Sequence, residues 1–176
     1  QEGELEVCSR NLSLKEDENN FYWKLAKKVD AFSLLQAVKS YYSLEDGAVI
    51  AIQGEGVGQG VQKGWEYGIQ DPEFFLFTIQ VNGVRVPETD FGMFVAKFKE
   101  QGVKSVPTVF AAKSLWDVVG DCLTNEEIQS KLLKYVEGKS AIDGKTIREG
   151  SVFRCLTNST FSFKVVSNQF LLKGGD

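Results

Sequence analysis

The chain has 176 residues, 43% of them hydrophobic, with 13 Phe, 5 Tyr and 3 Trp, and a formal charge of −4. That is enough apolar material for one globular domain with a core and too much for a disordered chain. No apolar run approaches the roughly 20 residues that cross a bilayer, no secretory core follows Gln1, and the acidic balance argues against a general nucleic-acid binder.

In chain order, Leu5 to Cys8 reads as a strand, closed by a polar turn at Ser9-Arg10-Asn11. Helical spacing of Phe21, Leu25, Phe32, Leu35 and Val38 predicts one helix over about Asn20 to Lys39, with Asn19 or Asn20 as its N-cap. Ala48 to Ile52 is a short buried strand that runs into Gln53-Gly-Glu-Gly-Val-Gly-Gln-Gly60. Phe74 to Val81 is a strongly apolar strand ending in an Asn82-Gly83 turn. Simple alternation sends Phe75 and Phe77 to one face and Phe74 and Leu76 to the other. A second helix covers about Thr89 to Gln101, with Phe91, Phe94, Val95 and Phe98 on one side and Gly102 as its stop. A strand follows near Val106 to Ala111. The third helix opens with the capping-box pattern Thr124-Asn-Glu-Glu127 and closes at Gly138. Two strands, Glu149 to Arg154 and Phe163 to Lys173, complete the chain. With no repeat, low-complexity tract or linker, the expectation is a single α+β unit of mainly antiparallel sheets flanked by about three helices.

The absence of histidine removes the Ser-His-Asp triad, the Cys-His pair and imidazole zinc sites together. Carboxylates, lysines, hydroxyls and a hard metal such as Mg²⁺ are left to do any chemistry. Cys8, Cys122 and Cys155 lack framework spacing and read as reduced thiols of an intracellular, cytoplasmic protein.

Charge is unevenly spread. Between Lys139 and Lys173, six basic residues (Lys139, Lys145, Arg148, Arg154, Lys164, Lys173) face two acids (Asp143, Glu149), a local +4. The two C-terminal strands carry much of it. Glu149 and Arg154 sit at the ends of one, and Lys164 and Lys173 bracket the apolar run of the other. A core strand gains nothing from such charges, whereas a pocket for a nucleotide phosphate and its metal uses all of them. On composition alone, chance clustering accounts for it equally well.

Several motifs are decoys. Gly138-Lys-Ser140 and Gly144-Lys-Thr146 resemble the end of a phosphate-binding P-loop. The glycine required five positions earlier is replaced by Leu133 and Lys139. Both strings read as helix-end and loop residues. The glycines of 53–60 miss the dinucleotide fingerprint, whose third glycine falls on Gln59, Val61 or Lys63. What that segment does hold is Glu55 between two glycines, which serve a close ligand approach or a plain tight turn equally well. Phe77, as an aromatic on a strand, is by itself more ordinary as core than as a base-stacking platform.

Read in order, seven strings resemble the ATP-dependent RNA ligases: Cys8-Ser-Arg-Asn11; Asn20-Phe-Tyr-Trp-Lys-Leu-Ala26; Ile52-Gln-Gly-Glu55 with Gly60-Val-Gln62; Phe75-Leu-Phe-Thr-Ile79; Val136-Glu-Gly-Lys-Ser140; Glu149-Gly-Ser-Val-Phe-Arg154; and Ser162-Phe-Lys164 through Leu171-Leu-Lys173. The similarity covers nearly the whole chain and is nearest the Deinococcus-type branch of the covalent nucleotidyltransferase superfamily, which also includes DNA ligases and capping enzymes. The resemblance implies a ligase-type nucleotidyltransferase domain that uses ATP and Mg²⁺ or Mn²⁺ to join RNA 3′-hydroxyl and 5′-phosphate ends, through lysyl-AMP and RNA-adenylate intermediates. It also implies roles. Arg10 contacts phosphate or the RNA terminus, Glu55 the ribose, and Phe77 stacks on adenine. Glu149 binds the divalent metal or organises the adenylate, and Lys164 and Lys173 neutralise the ATP phosphates.

The chain departs from the family pattern at two points. Family members attack ATP with the lysine of a Lys-x-Asp-Gly motif, and none is present. Lys28-Val-Asp-Ala31 lacks the glycine, and Lys139-Ser-Ala-Ile-Asp-Gly144 has the wrong spacing. Because the family nucleophile precedes the Ser-Arg-Asn segment, residues 1–176 are expected to be a nucleotidyltransferase domain truncated on its N-terminal side and inactive in self-adenylylation. Many relatives also carry a second lysine two positions from the one matched by Lys164, where this chain has Ser162 and Val166. The competing readings are a non-catalytic nucleotide- or RNA-binding module and a DNA-ligase or capping-type nucleotidyltransferase.

Overall fold

Two units make up the chain, Gln1–Val106 and Pro107–Asp176, in a computed structural model that describes residues 4–61, 65–110 and 114–174. Of the positions singled out above, Gln1, Gln62, Lys63 and Ala111 lie outside the described residues.

The first unit opens with a hairpin of β1 (Val7–Cys8) and β2 (Ser13–Leu14). The polar turn between them closes through Ser9 N–H to the Leu12 carbonyl at 2.9 Å. Helix α1 (Phe21–Lys28) begins at Asn20, whose side chain accepts from the N–H groups of Tyr22 and Trp23. The Trp23 indole then donates to the Leu14 carbonyl at 3.0 Å, tying helix to hairpin. The single helix predicted over Asn20–Lys39 is in fact two, α1 and α2 (Ala31–Tyr41). Asp30 makes the break. It adopts a left-handed φ of 47°, tolerable for Asp because its short side chain bonds locally. Its carboxylate accepts from the Ser33 N–H at 3.3 Å and the Ser33 hydroxyl at 2.6 Å, restarting the helix.

Strand β3 (Ile50–Val57) pairs antiparallel with β4 (Glu73–Val81). β3 runs on through the glycine-rich segment, which is therefore strand as far as Val57 and not a tight turn. The register passes from Gln53↔Thr78 to Gly54↔Leu76, leaving Phe77 as an extra residue with no partner on β3. This β-bulge shifts the alternation by one residue. Without it, Thr78 and Gln80 would follow Phe74 and Leu76 into the core. With it, Ile79 and Val81 join them there, while Thr78 and Gln80 pair with Gln53 and Ala51 on the other face.

β4 turns at Asn82-Gly83, both at positive φ (50° and 78°), into β5 (Val84–Arg85), the Asn-Gly hairpin expected of that dipeptide. Helix α3 (Glu88–Glu100) follows, and then β6 (Lys104–Ser105), which runs parallel to β4. The strand predicted over Val106–Ala111 is replaced by these two residues. Val106 N–H still donates to the Leu76 carbonyl at 2.9 Å, but Pro107 has no N–H with which to extend the ladder. The core joins Leu34 and Val38 of α2, Leu76 and Ile79 of β4, and Phe94 and Phe98 of α3. Each of the two phenylalanines is 0% exposed and contributes roughly 1.5–3 kcal/mol through burial.

The second unit holds α4 (Leu115–Val119), α5 (Asn125–Val136), the antiparallel hairpin β7 (Gly150–Arg154) and β8 (Ser162–Val166), and α6 (Asn168–Leu172). Helix α4 was not expected, although Ser114 and Asp117 form a full capping box at its start. At α5, Thr124 caps Glu127 N–H as predicted, but the Glu127 carboxylate reaches past the cap to Leu123 N–H at 2.7 Å. Phe153 and Phe163 stack across the hairpin, centroids 4.9 Å apart and planes within 7°. Phe110 and Tyr135 close on Phe153 from the side. The α+β, mainly antiparallel expectation holds, with six helices among the described residues instead of about three. Among those residues there is no disulfide, and no helix is long and apolar enough to cross a membrane.

Candidate functional site

In the first unit Glu55 occupies the sheet face opposite the α2–α3 core. Glu55 lies across from Phe75 on β4, and Phe75 lies across from Lys104 on β6, so the three form one cross-strand row. Glu55 is exposed while Phe75 is buried. The Lys104 ammonium sits 5.7 Å from the centre of the Phe75 ring and pairs with Glu73, two residues along the same face. Phe77 is half-buried and, as the bulged residue, is absent from the core cluster its neighbours build. Bulges recur beside functional sites because they re-aim a side chain.

The flanking glycines have a packing reason. A Cβ on Gly54 would overlap the Phe74 ring, and one on Gly56 would lie 2.6 Å from Phe21 Cζ. They let aromatic rings lie against β3, which accounts for them without a ligand. Arg10 is exposed in the turn between β1 and β2.

In the second unit the structure brings two predicted residues into contact. Glu149, at the mouth of β7, and Lys164, in the middle of β8, form an ion pair. β8 lies so close to β7 here that a Cβ on Gly150 would overlap the Val165 carbonyl oxygen and come within 2.9 Å of Val166 Cα. Gly150 therefore sets the strand spacing at the point where Glu149 meets Lys164. The pair is partly open to solvent, with side-chain exposures of 45% for Lys164 and 37% for Glu149, so it contributes little to stability and both groups remain reachable by a ligand.

The strand expected from Phe163 to Lys173 ends at Val166. Ser167 is 0% exposed and caps α6 through Phe170 N–H. Glu137, at the end of α5, accepts from the Ser167 hydroxyl and from Asn168 N–H, both at 2.7 Å. This clasp turns the chain from strand to helix. Lys173 consequently stands at the C-cap of α6 and not on a strand shared with Lys164.

The two P-loop decoys are loop structure, as expected. Ser140 N–H donates to the Thr146 carbonyl at 2.8 Å, and Asp143 closes the tip. Partial burial raises the Asp143 pKa, but hydrogen bonds from the Thr146 hydroxyl and from the N–H groups of Lys145 and Thr146 outweigh it and hold the carboxyl below its ordinary range. Among the described residues no group of three or more Asp, Glu or Cys converges in a way that holds a metal unaided. A shallow depression on α5, lined by Glu126, Ser130, Leu133 and Glu137 among others, includes none of the predicted site residues.

The sequence matches the RNA ligase family over residues 1–166. The chain belongs to the RNA ligase family. No curated protein matches it. Among solved structures, a lysine-to-methionine variant of Naegleria gruberi RNA ligase with AMP and Mn is similar to this RNA ligase chain at a TM-score of 0.77 and 25% identity, over 100% of this chain and 47% of that one. A glutamate-to-alanine variant of the same ligase, with AMP and Mn, gives a TM-score of 0.76 and 25% identity over 98% and 46%. An arginine-to-alanine variant with ATP and Mn gives 0.74 and 24% over 98% and 46%. The chain thus spans about half the length of the solved RNA ligases it resembles.

Two features near the family strings were missed from sequence. Lys104 and Glu73 flank Phe75 on the candidate face, yet a lone lysine in Val-Lys-Ser carries no signal. The Glu137 clasp joins residues 30 apart, although Ser167 followed by Asn-Gln-Phe is an N-cap signature.

Proposed function

We propose that this chain is the nucleotidyl-transfer part of an ATP-dependent RNA ligase, nearest the Deinococcus-type branch, that seals RNA 3′-hydroxyl to 5′-phosphate ends through lysyl-AMP and RNA-adenylate. The contact between Glu149 and Lys164 carries this reading. Two family strings, each unremarkable alone, supply an acid and a base that meet across the β7–β8 ladder in a chain of the RNA ligase family.

The roles proposed are charge-based. Lys164, with Lys173, offers ammonium donors to the triphosphate, offsetting charge on the departing pyrophosphate; fixed donors of this kind act without a histidine base. Glu55 accepts from a ribose hydroxyl, Phe77 stacks on adenine, and Arg10 holds a phosphate or the RNA terminus. Glu149 suits a divalent ion that arrives with ATP, because Mg²⁺ is commonly held by one or two carboxylates together with substrate phosphates. Bound there, Mg²⁺ or Mn²⁺ would neutralise phosphate charge. Lys164 pairs with the same carboxylate. The adenylylated lysine is assigned to none of the 176 residues, which contain no Lys-x-Asp-Gly. That same absence is what favours the second reading, a binding module that keeps the pocket without the chemistry.

One experiment separates these. The full-length protein is incubated with labelled ATP and Mg²⁺, its intact mass is measured for one added AMP, and the adenylylated protein is then offered nicked RNA or nicked DNA. AMP uptake followed by sealing of RNA is expected, and Lys164→Ala is expected to slow uptake by about 10²–10³-fold. No uptake leaves the binding module standing, and preferential sealing of DNA moves the chain to the DNA-ligase reading. Unchanged uptake in the Lys164 variant removes that residue from the mechanism.

A further inference from the structure

Between α5 and β7 the chain makes an excursion over residues 138–148 that is closed on itself. Arg148 N–H donates to the Gly138 carbonyl and Gly144 N–H to that of Ser140, each at 2.9 Å, and Lys139 bridges Ile147 in antiparallel register. The Arg148 guanidinium donates twice to the Lys139 carbonyl, from Nε at 3.2 Å and Nη2 at 3.0 Å. The acid of this loop is spent internally. Asp143 accepts from the Thr146 hydroxyl at 2.6 Å and from the N–H groups of Lys145 and Thr146 at 2.9 and 3.0 Å.

The loop's cations are not spent. Lys27, Lys28, Lys39, Lys104 and Lys164 all have carboxylate partners. Lys139 and Lys145 are exposed, and neither has a carboxylate partner among the described residues. Lys97 and Lys99 on α3 are similarly exposed, so a lone charge is not the distinguishing feature. What sets Lys139 and Lys145 apart is a backbone braced around them, an acid engaged by hydrogen bonds within the loop, and an exit that runs directly into Glu149 and its contact with Lys164. In a chain of net charge −4, this is a fixed local cationic surface beside phosphate-handling residues.

We propose that the 138–148 loop contacts the phosphodiester backbone of the RNA strand being joined, with Lys139 and Lys145 as the phosphate-binding groups and Arg148 as the brace that positions Lys139. This rests on the RNA-ligase reading and adds to it a strand contact outside the adenylate residues. Ammonium groups that neutralise phosphates release condensed counterions, so the contact has a salt signature. Each one steepens the dependence of log affinity on log salt by about 0.7 on single strands and 0.9 on duplex.

The test is fluorescence anisotropy of a labelled nicked RNA duplex with the full-length protein across a KCl series. Lys139→Ala with Lys145→Ala is expected to reduce the salt slope by about 1.4 to 1.8, the sum for two contacts. Lys139→Arg with Lys145→Arg should retain the slope, and Lys97→Ala with Lys99→Ala, an equal charge loss on α3, should leave it unchanged. An unaltered slope in the loop variant, or an equal fall in the α3 variant, overturns the proposal. AMP uptake from labelled ATP, measured on the same preparations, tells the two claims apart. If the unsubstituted protein takes up no AMP, the ligase reading fails. If uptake is normal in every variant and the slope does not move, the loop proposal alone fails.

Discussion

The β3–β4 pair and the β7–β8 pair are both antiparallel, yet they are held by different means. β3–β4 lies on a fully buried core from α2 and α3, and its register is dictated by which residues must face that core. Glu55 is therefore on the opposite face, and Phe77 is displaced from the alternation by the bulge. β7–β8 has aromatic packing on one side, with Phe153 stacked on Phe163. Its ladder tolerates charge, so Glu149 and Lys164 meet directly. A sheet locked by its core sets a candidate side chain aside through an irregularity, whereas a lightly packed hairpin carries an ion pair between its mouth and the middle of its second strand.

This contrast is broken most forcefully in the core. Phe98→Ala is expected to destabilise the protein by about 3–5 kcal/mol and to speed amide hydrogen exchange in β3 and β4 more than in β7 and β8. Equal acceleration in both pairs would mean that they do not differ in what holds them. Gly150→Ala probes the other side. Its new Cβ meets the Val165 carbonyl, which costs roughly 1–3 kcal/mol of overpacking. Exchange should rise in residues 162–166, and, on the proposed function, RNA sealing should fall as Glu149 is moved off Lys164. Unchanged exchange there would show that the close strand approach is dispensable.

The smallest effect is a titration. Because the Asp143 carboxyl is held below its ordinary range, its bonds order the 138–148 loop above the unfolded carboxylate pKa and are lost as pH falls through the depressed folded value. Thr146 amide exchange, corrected for its intrinsic pH dependence, should rise on acidification in the unsubstituted protein but not in Asp143→Asn. A flat response in both would remove Asp143 as the loop's lock.

Legibility in the sequence followed the range of the interaction. Asn20, Thr124, Asn82-Gly83 and the Phe91–Phe98 face of α3 act within a turn or two, and each is where the sequence puts it. The break at Asp30 escaped notice because a side-chain cap, with no Gly or Pro, interrupts a continuous apolar spacing. The bulge is not legible in the string, because Phe75, Phe77, Ile79 and Val81 read as one unbroken apolar alternation and only the pairing with β3 reveals the extra residue. The end of β8 depends on Glu137, 30 residues away, and nothing local announces it. For the site, Glu149 and Lys164 come from separate strings and form an ion pair in the structure. Lys173 was misplaced because the stretch after Val166 looks equally apolar as strand or helix.

A position that the ladder skips can drift. Exchanging Phe77 for another ring disturbs no cross-strand partner on β3, and Phe74, Leu76, Ile79 and Val81 go on gripping the helices unchanged. Descendants of this chain can therefore change the ring at this position without re-registering the β3–β4 ladder.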